Sequence, residues 1–167
     1  MQHYLPSMLH LDFERALSFE LVLASVNFSA NEYSLRMWMQ GSQDIVWQNL
    51  ISAETGVFST NFLKAFNPAT SEYAKQYRTL AEKVYRECSE YVHGNAHTHE
   101  SLPDQIVFIE KIFSDWHLKT ENIALCVNFA LSSRYLYLSK KESRTLVERS
   151  VMDSIGHLDY IRALFTE

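Results

Sequence analysis

Apolar residues recur every three or four positions over long stretches of this chain, a spacing that favours helices over strands. From Tyr73 onward, Tyr77, Leu80, Ala81, Val84, Cys88, Tyr91 and Val92 keep the pattern for about five turns. Nearer the start, Phe13, Ala16, Leu17, Phe19, Leu21, Leu23, Ala24 and Val26 make one segment apolar over much of its surface. That segment predicts a central helix beginning near Ser7 or Asp12 and ending at Phe28. Only 4 glycines and 3 prolines occur in 167 residues, which disfavours a turn-rich β architecture.

The remaining signals complete an all-α chain. Asn31 is a natural N-cap for a second helix reaching about Ile51, with Gly41 as a point of weakness or kinking. A loop over 52–60 and a short helix from Thr60 to Phe66 follow. Asn67-Pro68 is a start signal for the long helix that runs to about His93, where Gly94-Asn95 stops it. A fourth helix is expected from Ser101–Asp104, with a break near Leu118–Thr120 before the pattern resumes to Tyr135. Ser139 and Glu142 match a capping box that opens a last helix through Val147, Val151, Leu158 and Phe165. These add up to an antiparallel bundle of four to six helices, read as a single domain over 1–167.

A net charge of −5 excludes broad electrostatic binding to nucleic acid, so any RNA contact has to be local or built by association. The two cysteines, Cys88 and Cys126, sit in apolar helical contexts and read as buried thiols of a reducing compartment. The apolar stretch Ala16–Val26 contains Glu20 and is too short to span a bilayer. No targeting signal is evident, so the expectation is a cytoplasmic protein with no membrane partner.

One segment carries chemistry: Tyr85-Arg86-Glu87-Cys88-Ser89-Glu90-Tyr91-Val92-His93-Gly94-Asn95. On a helix, Arg86 and His93 are about 20° short of two full turns apart, with a rise of about 10.5 Å. Both side chains therefore leave one face, with Glu90 between them and Glu87 and Ser89 flanking. Histidine exchanges protons near neutral pH, and arginine presents a permanent charge whose fork matches phosphate oxygens.

The segment resembles the HEPN family of helical-bundle proteins of prokaryotic defence and toxin–antitoxin systems, marked by Arg, four to six residues, then His near a helix end. The resemblance implies a metal-independent endoribonuclease acting as a homodimer, with Arg86 and His93 catalytic and Glu87, Ser89, Glu90 and Asn95 in support. His93 would be the general base on the ribose 2′-OH or the general acid on the leaving 5′-oxygen, and Arg86 would hold the phosphate. The family also contains catalytically silent members that assemble with a larger defence or antitoxin partner. Glu87 and Glu90 would repel a phosphate and suit that alternative.

The loop after the helix holds His97 and His99, which could contact RNA near the site. With His93 and Glu100 they also offer a His-x-His spacing that can bind zinc or nickel, but no second ligand group stands at a recognisable spacing. No metal or cofactor is expected. Neither a glycine-rich phosphate loop nor a Gly-x-Ser-x-Gly nucleophile turn is present.

Overall fold

The computed structural model describes the backbone over residues 5–92 and 108–166, and the side chains of 15–89 and 108–166. Within these bounds the chain is all-α, without a strand. Four long helices form the frame: α1 (Leu5–Phe28), α5 (Ala74–Val92), α6 (Glu110–Tyr135) and α7 (Lys141–Ile155). Shorter helices close its ends: α2 (Glu32–Met39), α3 (Trp47–Leu50), α4 (Thr60–Phe66) and α8 (Asp159–Thr166). Two 3-10 segments, Pro68–Tyr73 and Leu136–Leu138, lead into α5 and out of α6.

Apolar spacing decides what faces inward. On α1, Ala16, Phe19, Leu23, Ala24 and Val26 are buried, against Tyr77, Ala81 and Val84 of α5 and Cys126, Phe129 and Ala130 of α6. Tyr77 and Phe129 stack with ring centroids 3.6 Å apart at the centre of this core.

Successive long helices alternate in direction, so α1 and α6 run parallel. Arg15 lies over the Trp116 ring near their starts, and the Arg134 guanidinium and Tyr135 hydroxyl bond Ser29 at their ends. The Asn128 amide donates to the Ser154 hydroxyl at 2.8 Å, tying α6 to α7. Among the described residues no helix is long and apolar enough to cross a membrane.

Several expected boundaries move. The helix from Asn31 does not reach Ile51. Asn31 caps α2, its side-chain oxygen accepting from the Tyr33 and Ser34 amides, but α2 stops at Gln40–Gly41. Gly41 adopts φ 69°, with Gly41 N–H donating to Trp38 O and Ser42 N–H to Met37 O. This is the glycine-terminated stop in which a left-handed residue closes the last carbonyls, so Gly41 ends the helix instead of kinking it.

The break expected at Leu118–Thr120 is absent. No glycine or proline interrupts α6, and Thr120 satisfies its hydroxyl on the Trp116 carbonyl at 2.9 Å. The Ser139–Glu142 capping box does not form. Helix α7 begins one residue too late for it, and Ser139 donates to Tyr135 O instead. The last helical stretch is two helices, with Gly156 capping α7 before α8 begins at Asp159.

Candidate functional site

Helix α5 presents two unlike faces. Ala74, Tyr77, Ala81, Val84 and Cys88 are buried, at helical spacing. Lys75, Thr79, Glu82, Lys83 and Arg86 are exposed on the other side. Arg86 therefore points away from the core, on a surface that no described helix covers.

The charges around Arg86 sort themselves locally. Glu82 faces Arg78 at 3.9 Å, and Glu87 faces Lys83 at 3.8 Å. Both are i,i+4 pairs near the distance limit of an ion pair and weak in water. Arg86 forms no ion pair among the described residues. Ser89 donates its hydroxyl to the Arg86 carbonyl at 3.0 Å, a local back-bond that commits its proton to the helix.

Behind this outer face the helix is held firmly. Trp47 of α3 stacks on Tyr85 with centroids 3.7 Å apart and planes 9° from parallel. Phe19 of α1 meets the same tryptophan at a tilt, with centroids 5.8 Å apart. Burial raises the Tyr85 hydroxyl pKa above its ordinary value, and the Glu20 charge adds to the shift. Burial likewise raises the Glu20 carboxyl. This aromatic brace holds Tyr85, the residue next to Arg86 on α5. Glu20, the sole charge between Ala16 and Val26, was the visible sign of a half-polar environment on α1.

Of the residues singled out in the sequence, Arg86, Glu87 and Ser89 lie together on the carboxyl-terminal half of α5. Glu90 belongs to the same helix, with its side chain outside the described set. His93, Asn95, His97 and His99 lie outside the described residues, as does Glu100. Among the described residues no group of three or more His, Cys, Asp or Glu side chains could hold a metal ion. Among the described residues neither Cys88 nor Cys126 forms a disulfide, and both are buried.

What the described part offers chemically is a solvent-facing guanidinium on the carboxyl-terminal half of α5. Such a group binds a phosphate or carboxylate from solution without first breaking an internal pair with a described side chain. Comparison with known proteins gives no match to a family model, a curated protein or a solved structure.

Proposed function

We propose that this chain is a HEPN-like, metal-independent endoribonuclease that works as a dimer in prokaryotic defence or toxin–antitoxin function. The observation that supports it is the state of Arg86. It is exposed on the outer face of α5, while the two described carboxylates nearest it on that helix turn to Arg78 and Lys83. Of the two, Glu82 stands at the i−4 spacing at which a surface arginine pairs, and it is turned to Arg78.

In this reading Arg86 grips a phosphate of single-stranded RNA and His93, seven residues on, exchanges the proton. The ribose 2′-oxygen attacks the adjacent phosphorus as its proton is removed, and the bond to the 5′-oxygen breaks as that oxygen is protonated. The products are a 2′,3′-cyclic phosphate and a free 5′-hydroxyl. One histidine cannot hold and deliver a proton in the same step, so two copies of α5 supply the base and the acid between them.

Arg86→Ala and Glu87→Gln test this in one assay. Loss of Arg86 should lower cleavage of single-stranded RNA at least about a hundredfold, the scale of one charge-stabilising group. Loss of the Glu87 charge should leave cleavage unchanged or raise it. Equal cleavage by the wild type and Arg86→Ala would overturn the proposal.

The net charge of −5 and the acidic neighbours of Arg86 favour a second reading, a catalytically silent HEPN-like module that assembles with a larger defence or antitoxin partner. Under that reading Arg86→Ala keeps its biological function, and the chain co-purifies with a neighbouring gene product.

A further inference from the structure

The stop at Gly41 has a structural result. The chain leaves α2 and returns as a non-helical segment over 41–46 before α3, and a cleft of about 350 Å³ opens between that segment and the ends of α1, α2 and α4. This volume is at the lower end of small-molecule sites, roughly 300–1,000 Å³. A chain that departs from its own helical pattern at one point marks that point for attention.

The lining is specific in character. Ser34, Gln43, Asp44 and Asn49 all border the cleft, and none of their side chains makes a hydrogen bond or ion pair among the described residues. Other polar neighbours are already engaged: the Asn31 oxygen caps α2, and the Asn27 amide donates to Thr55 O at 3.3 Å. Val46 and Phe62 supply apolar wall. The single charged lining residue is Asp44, a carboxylate.

These groups exclude much. An anion would meet a carboxylate and no cation. A lipid tail would strand the amides and hydroxyl without partners, which is costly. A simple alkylammonium would satisfy Asp44 but make no use of the Gln43 and Asn49 amides, which would stay with water. A fitting ligand is planar, uncharged or cationic, and carries adjacent N–H donors beside ring acceptors. We propose that this cleft binds a purine base of the guanine type, its paired N–H donors on Asp44 and its carbonyl and ring nitrogen on the amides of Gln43 and Asn49, with Val46 and Phe62 against the ring.

The proposal rests on nothing in the Arg86 segment, so the two can fail separately. Calorimetric titration of the full chain with guanosine tests it, with adenosine, spermidine and inorganic phosphate run in parallel. Guanosine should saturate, adenosine should bind at least tenfold more weakly, and phosphate should give no binding. Asp44→Asn should weaken guanosine at least tenfold with an unchanged melting temperature, because Asp44 is exposed, and His93→Ala should bind it as the wild type does. The proposal is overturned by the absence of saturable guanosine binding through the millimolar range, by equal binding to Asp44→Asn, or by tighter binding of spermidine or adenosine than of guanosine.

Discussion

At the scale of single residues, Arg86 and Tyr77 illustrate opposite relations between position and energy. Arg86 is exposed and unpaired among the described residues, so replacing it costs little structure. Arg86→Ala should change unfolding free energy by no more than about 0.5 kcal/mol, measured by urea denaturation, and a larger loss would mean that it braces the fold.

Tyr77 is fully buried, stacked on Phe129, and its hydroxyl finds no hydrogen-bond partner among the described residues. An unpartnered buried hydroxyl costs free energy that its ring does not need to incur. Tyr77→Phe should therefore hold or raise stability, by up to about 1 kcal/mol. Destabilisation beyond about 1 kcal/mol would show that the hydroxyl is bonded after all.

At the scale of elements, the 52–57 turn is fixed by backbone hydrogen bonds. Val57 N–H donates to Leu50 O, and Gly56 N–H to Ser52 O. A Cβ at Gly56 would meet Leu50 O at 2.5 Å and the Ser52 backbone at 2.6 Å. Backbone cannot swing aside as a side-chain tip can, so Gly56→Ala should lower stability by about 1–3 kcal/mol, the usual cost of overpacking. A melting temperature equal to that of the wild type would contradict this account of the turn.

The same scale shows what the sequence could disclose. Local signals read well: Asn31 does cap α2, Thr60–Phe66 is a helix, and the spacing from Tyr73 to Cys88 does face the core. Expectation failed where one residue type has two meanings. Gly41 read as a weak point inside one helix, but its left-handed backbone makes it a stop, and apolar spacing alone cannot tell the two apart. A break was expected at Leu118–Thr120, before the apolar pattern resumes at Ile123, yet a helix carries its backbone unbroken through a turn that faces water. The pairing of Glu82 with Arg78 and Glu87 with Lys83, which leaves Arg86 without an ion pair among the described residues, was also out of reach. Each carboxylate has several i,i±4 choices, and sequence does not say which wins.

For the whole molecule, the buried titratable groups set an alkaline limit. Burial pushes the Cys126 thiol up to about 12 from an ordinary 9.0. Burial, with smaller effects from Cys126 and Tyr73, pushes Tyr77 up to about 12 from 10.0. Both groups are neutral in the fold, whereas in the unfolded chain they release protons near their ordinary values. The unfolded state thus gains first, and stability present in full below pH 9 is lost as pH rises from about 9 towards 12. The urea midpoint should fall across that window, and in Cys126→Ala the fall should begin nearer pH 10. A midpoint that stays level to pH 11 would contradict the assignment of both groups as neutral and buried.

The central claim concerns what this bundle does with its exposed arginine and the histidine that follows α5. The most direct measurement is cleavage of single-stranded RNA in excess chelator, with the 3′ ends of the products identified, for wild type and His93→Ala side by side. The account predicts fragments ending in 2′,3′-cyclic phosphate from the wild type and a loss of at least about a hundredfold in His93→Ala. Cleavage that disappears with chelator, or that His93→Ala performs equally well, would contradict it.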